Sequence, residues 1–256
     1  MSHTSTPQPG DTIAVWFSCG AASAVALKFT LDKYPYCNVR AINNPVKEED
    51  DDNRRFLADV GQWLGIEIEE ATCSEFPSQS AVDVWEKRKY MEGIAGAPCT
   101  QKLKKKARQE WEAKNHFDWI VLGFTAEEEG RHKRFSLTER DNVLPVLIEH
   151  GITKADCYEI VSSAGIQLPR IYHLGYPNAN CVGCVKATSP TYWNHVRKVH
   201  PEVFQERAEQ SRRLGTKLVR HKGERIFLDE LPEDAQGRPM KTMDIECGIF
   251  CSEDDQ

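Results

Sequence analysis

The sequence predicts an α/β fold built on a doubly wound, mainly parallel sheet, and three observations carry that expectation. Short apolar, β-prone runs alternate with stretches of helical period at the interval of βαβ units. The first run, Ile13 to Phe17, leads through small residues into an Ala-rich helix. A later run, Asp118 to Phe124 (DWIVLGF), is a second clear strand with Gly123 and Thr125 near its C-terminal end.

The opening unit reads IAVWFSCGAASAVALKF over Ile13 to Phe29. It predicts a buried strand, a tight turn over Ser18-Cys19-Gly20-Ala21-Ala22-Ser23, and a helix whose first free N–H groups point into that turn. Small side chains at Gly20 and Ala21 let a ligand approach the backbone. With the hydroxyls of Ser18 and Ser23, the helix N-terminus suits an anion such as phosphate or sulfate. The same residues also make an ordinary first βα turn. The stretch is neither a Walker loop, lacking Gly-Lys-Ser/Thr, nor a GxGxxG fingerprint.

Asn38 to Ile42 predicts a second strand, ended by Asn43-Asn44-Pro45. The acidic run Glu48 to Asp52 reads as the solvated start of a helix. Phe56, Val60, Trp63 and Leu64 continue that helix to Gly65, and Ile66 to Ile68 gives a third strand. Ser80 to Tyr90 predicts another helix. Cys99 then precedes a segment with five cations in seven residues, Lys102 to Arg108. Cations near a helix N-terminus are unfavourable, which implies an anionic partner, although a charge run also reads as a solvated face.

In an open α/β sheet, ligands sit outside the carboxyl ends of the strands. The segment Glu127 to Arg134 is therefore expected as a loop on the same crevice as Ser18 to Ser23. Arg131 and Arg134 can fork onto anionic oxygens there, or belong to a charge-balanced surface loop. Leu144 to Ile148 is apolar, and Thr153 caps a helix through Ser163. An irregular aromatic segment leads to Cys181-Val182-Gly183-Cys184, and Trp193 to Arg213 is helical with a break near Pro201. From Lys222 onward no strong period is visible.

At 256 residues the chain fits one α/β domain with additions, or two small domains. The expected division is a nucleotide-binding α/β domain over 11–190, carrying metal-site cysteines, and a helical extension with a mobile tail over 191–256. Apolar residues at 40% suffice for a core. No apolar run approaches the ~20 residues of a membrane span. The polar start, MSHTSTPQPGDT, lacks the regions of a signal peptide, so the cytoplasm is the expected address. A net charge of −6 argues against coating nucleic acid through bulk charge. Nine cysteines in a reducing compartment suggest metal binding or redox chemistry rather than disulfides.

Four stretches, in order, resemble the phosphoadenylyl-sulfate and adenylyl-sulfate reductases of the PP-loop adenine nucleotide α-hydrolase-like superfamily. The turn Ser18 to Ser23 is similar to their modified P-loop. Cys99 with its Lys-rich sequel looks like their Cys-Cys-x-x-x-Lys segment, with Pro98 in place of the first cysteine. Pro169-Arg170-Ile171-Tyr172, Gly175-Tyr176-Pro177 and Cys181-x-x-Cys184 resemble the Pro-Leu-Tyr…Gly-Tyr-x-Ser…Cys-x-x-Cys segment. Glu246-Cys247-Gly248-Ile249 is similar to the terminal motif bearing the catalytic cysteine, with Phe250 in place of its histidine.

The resemblance implies a substrate pocket formed by Ser18, Gly20, Ala21, Ser23, Gly123, Arg131, Arg134 and Lys102. It implies a 4Fe–4S cluster on Cys99, Cys181 and Cys184, its fourth ligand being Cys157, Cys19 or a non-protein group. Zinc is the alternative metal, with His195 or His200 as fourth ligand. Cys247 would attack the sulfur of an adenylyl sulfate, and a thioredoxin or glutaredoxin would then release sulfite. Cys251 reads either as a resolving thiol or as incidental. A homodimer is compatible with this reading, and no membrane partner is expected. The competing expectation is an ATP-dependent PP-loop sulfurtransferase that thiolates tRNA or DNA, the one reading with a nucleic-acid partner.

Overall fold

The computed structural model describes residues 6–93 and 96–240. In chain order these form β1 (Thr12–Trp16), α1 (Ala21–Lys33), β2 (Asn38–Asn43), α2 (Asp52–Leu64), β3 (Ile68–Glu70) and α3 (Ala81–Arg88). A π-helical stretch (Thr100–Lys106) runs into α4 (Ala107–Glu112), followed by β4 (Trp119–Val121), α5 (Glu129–Thr138), β5 (Val143–Leu144), α6 (Val146–Glu149) and α7 (Lys154–Ser163). The remaining elements are α8 (Arg170–His173), α9 (Pro190–Val199), α10 (Pro201–Arg213), β6 (Val219–His221) and β7 (Glu224–Ile226).

Strands β1 to β5 form one parallel sheet in the order β3-β2-β1-β4-β5. This is the expected α/β architecture with flanking helices. Ile13, Ala14, Val15 and Trp16 are all buried, so both faces of β1 are covered, as a central parallel strand requires. Helix α1 lies along β1, α6 and α7, presenting Ala24, Val25 and Leu27 to the interior. Helix α2 buries Phe56 and Val60, and the Phe56 ring stacks on Phe17 at 6.2 Å. Gly65 then ends α2 in a left-handed cap, which a residue without Cβ adopts freely.

Backbone contacts divide the described residues into two compact units. One takes those within Met1–Asn44, Asp51–Ala71 and Glu110–Arg170; the other takes those within Pro45–Asp50, Thr72–Gln109 and Ile171–Gln256. The division does not fall at the expected position near 190, because the segments after β2 and β3 leave the sheet to pack in the second unit. That unit has its own core, including the fully buried Tyr192, Trp193, Met91, Leu103 and Ile171. Its β6–β7 hairpin falls in a stretch where no period is visible, and it turns through Lys222 and Gly223, both at positive φ.

The acidic run after Pro45 departs from expectation. Glu48 is not a solvated start for α2. It accepts from the Ser80 hydroxyl at 2.6 Å and from the amides of Ala81 and Val82 at 2.7 and 3.3 Å, which caps α3. Asp52 does serve α2. It accepts two hydrogen bonds from Arg55 (2.7 and 2.8 Å) and one from the Arg170 amide (2.7 Å), and the Arg55 contact holds its carboxyl at about 2. A carboxyl lowered in the folded state contributes stability above its unfolded value, lost as pH falls through the folded one. In Asp52→Asn, the dependence of unfolding free energy on pH between about pH 4 and about pH 2 should therefore flatten, as measured by urea titrations at a series of acidic pH values.

Candidate functional site

The sheet order places β1 between β2 and β4, so the strand order reverses at the β1–β4 junction. Ligands of open α/β sheets bind outside the carboxyl ends of the strands at such a switch point. The turn Ser18 to Ser23 follows β1, and Gly123 to Thr125 follows β4. The two segments meet: a Cβ built on Gly123 would stand 2.8 Å from the Ser23 amide nitrogen and 3.0 Å from Ser23 Cα. Only glycine allows this approach without moving backbone.

The turn is braced from within. Ser23 Oγ accepts from the Ser18 amide at 3.1 Å and donates to the Gly20 carbonyl at 2.9 Å, with Ser18 Oγ 3.2 Å away. Cys19 sits buried at φ +57°, a conformation that side chains rarely adopt and that surroundings must enforce. Asn43, at the end of β2, supplies part of that enforcement. Its buried amide donates to the Phe17 carbonyl at 2.8 Å and reaches Cys19 Sγ at 3.4 Å. The sequence reading took Asn43 only as a strand terminator; a polar residue directly after a buried strand was the available signal. Gly20 stands at the N-cap of α1, with Ala21 the first helical residue.

Arg131 and Arg134 stand on α5, not on a loop. A capping box explains the difference: Glu128 accepts from the Thr125 amide and hydroxyl at 3.1 and 3.3 Å and starts helical structure. Arg131 donates to Glu128 at 2.7 Å and lies 5.3 Å from the centre of the Phe124 ring.

In the second unit, Cys99, Cys181 and Cys184 line one cavity, with about 360 Å³ of atom-free space that includes open solvent. Val46, Ala81, Trp85, Leu103 and Val185 make its wall apolar, while Lys104 and Lys186 bring positive charge. Gly183, at φ +69°, allows the Cys181-Val182-Gly183-Cys184 turn, and the Cys184 amide donates to the buried Tyr192 hydroxyl at 2.8 Å. Three soft thiol donors, an apolar wall and nearby cations fit a thiolate-bound iron–sulfur cluster or zinc. As placed, the thiols share a wall without closing on one another: among the described residues no three Cys, His, Asp or Glu side chains group tightly enough to hold an ion.

The cation run has protein partners. Lys102 and Lys106 both reach Glu75, at 2.8 and 3.0 Å, and hold its carboxyl at about 2; Lys104 pairs with Glu49 at 3.3 Å. The anion implied by the sequence is thus supplied, at least in part, by Glu75 and Glu49. Neither acid carries a local signal, since each lies far from the lysines in the chain.

The other candidate ligands sit elsewhere. Cys19 and Cys157 belong to the first unit, and burial in α7 pushes the Cys157 thiol up to about 12. His195 Nε2 is 2.8 Å from the Leu174 carbonyl and His200 Nδ1 is 3.0 Å from the Tyr176 hydroxyl; neither residue lines the cavity. Cys247, Phe250 and Cys251 lie outside the described residues. No described helix is long and apolar enough to cross a membrane. Comparison with protein-family models and with curated proteins gave no match.

The braced turn generates a direct test. Gly123→Ala forces a methyl group against the Ser23 backbone and should cost about 1–3 kcal/mol in urea unfolding. Asn43→Ala should cost about 1–2 kcal/mol by stranding the Phe17 carbonyl.

Proposed function

We propose that this chain is a sulfonucleotide reductase, converting adenylyl sulfate or phosphoadenylyl sulfate to sulfite in the cytoplasm. In this reading the parallel sheet is of the adenine nucleotide α-hydrolase-like kind, with a cysteine-bearing C-terminal extension. The observation that carries it is the shared cavity of Cys99, Cys181 and Cys184, residues that the family resemblance groups and that lie more than eighty positions apart. The braced small-residue turn at the strand-order reversal gives further support.

The nucleotide phosphate and sulfate would lie against Ser18, Gly20, Ala21 and Ser23, with Gly123 keeping the facing segment close. Arg131, Arg134 and Lys102 are the cations assigned to the anionic oxygens. Cys99, Cys181 and Cys184 would hold a 4Fe–4S cluster, or zinc in the alternative, and a cluster would supply electrostatic support for the substrate anion. The Cys247 thiolate attacks the sulfate sulfur; a sulfur–sulfur bond forms, the sulfur–oxygen bond to phosphate breaks, and the nucleotide leaves with that electron pair. A thiolate of thioredoxin or glutaredoxin then attacks Cys247 Sγ and expels sulfite. Its second thiol resolves the mixed disulfide, so the dithiol supplies both electrons.

A second reading, an ATP-dependent PP-loop sulfurtransferase acting on tRNA or DNA, draws on the same three-cysteine cavity, because the thiolation enzymes it resembles also use three-cysteine clusters. Sulfite release with thioredoxin or glutaredoxin should fall to background in Cys247→Ser while adenine-nucleotide binding, measured by calorimetry, persists. Undiminished sulfite release from that variant would remove the reductase assignment. AMP and pyrophosphate release stimulated by tRNA or DNA would establish the second reading in its place.

A further inference from the structure

Two buried donors beside the cysteine cavity have no acceptor among the described residues: Trp85 Nε1 and Arg207 Nε. Trp85 is 2% exposed and lines the cavity; Arg207, on α10, is 3% exposed. The Arg207 guanidinium lies 4.9 Å from the centre of the Trp85 ring, and its Nη1 donates to Gln210 at 3.2 Å. A Cβ on Gly183 would stand 3.3 Å from Arg207 Cγ and 3.6 Å from its Nε. The free edge of the guanidinium thus packs against the backbone between Cys181 and Cys184, at a residue whose lack of a side chain makes room for it.

A guanidinium stays charged even where burial lowers its pKa, as it does here against the opposing influence of Glu48, Glu206 and Cys181. Glu48 already spends both carboxylate oxygens on the α3 cap. A buried cation without a bound anion is costly, and an apolar side chain of similar size is often better tolerated. The observations point to a negative charge in the cavity itself.

We propose that Arg207, together with the Trp85 indole N–H, is the buried counter-charge of the centre held by Cys99, Cys181 and Cys184, and sets how readily that centre accepts an electron. The proposal rests on the cluster assignment above. In a low-dielectric wall a fixed cation stabilises the more negative, reduced state of a thiolate-bound cluster, so its loss makes reduction harder. Arg207 is on this account a positioning and electrostatic residue, not a catalytic one.

The experiment uses the full-length protein, reconstituted anaerobically with iron and sulfide. Iron and labile sulfide are counted, and the cluster is titrated with dithionite and mediators. At a fixed potential the reduced-to-oxidised ratio should fall at least about tenfold in Arg207→Met, equivalent to about 59 mV for one electron, and stay within about threefold of wild type in Arg207→Lys. Arg207→Gln, which keeps a planar polar group over Trp85, provides the neutral state if circular dichroism shows that Arg207→Met does not fold. A loaded wild type whose ratio is unchanged in the neutral variant, or falls equally in Arg207→Lys, overturns the Arg207 assignment alone. A wild type that takes up neither iron nor sulfide overturns the cluster assignment and this proposal with it.

Discussion

The first unit depends on the Ser23 hydroxyl, which ties the amide that leaves β1 to the carbonyl that opens α1. That brace lets a central strand buried on both faces turn sharply into a helix without exposing or stranding backbone groups. Asn43 anchors the same turn from the neighbouring strand, and Gly123 lets the β4 segment close against it. Three strands thereby converge on a few residues at the place where the strand order reverses. The helix N-terminus that results is held rigid by short-range contacts, as recognition of an anion demands.

The second unit solves a different problem. Its cysteines come from distant segments, and an apolar core around Tyr192, Trp193 and Leu103 draws those segments together. Tyr192 also receives the Cys184 amide, so the cysteine turn is tied to the core by a hydrogen bond as well as by packing. Around this cavity positive charge is arranged in two ways. The lysines of the π-helical stretch are matched by Glu75 and Glu49, whereas Arg207 is stacked and buried with one donor unmatched. The contrast is why Arg207, rather than the more conspicuous lysine run, is the informative cation.

Much of the fold was legible from pattern. The apolar runs at Ile13 and Asp118, the helical spacing of Phe56 and Val60, the Gly65 stop and the Thr153 cap all correspond to observed elements. The misses have physical causes. The Thr125–Glu128 capping box turns a highly charged stretch into helix α5, a local signal overlooked because the charges suggested a loop. The β6–β7 hairpin is only three residues a strand, too short for alternation to show, and its Lys222-Gly223 turn was the one cue. Glu48 looked like a helix start because its true partners, the first amides of α3, lie some thirty residues on.

The amino-acid order alone determined the alternation of strands and helices, the small-residue turn after β1 and the spacing of Cys181 and Cys184. Each of these reflects forces between residues a few positions apart: periodic burial, capping and backbone sterics. Which carboxylate meets which lysine, how Asn43 comes to anchor Cys19, how Cys99 reaches the same cavity as Cys181 and Cys184, and where Arg207 is buried were decided by the tertiary structure. Those contacts join segments separated by tens of residues. Their energies depend on how distant surfaces pack and exclude water, which no local window of sequence contains.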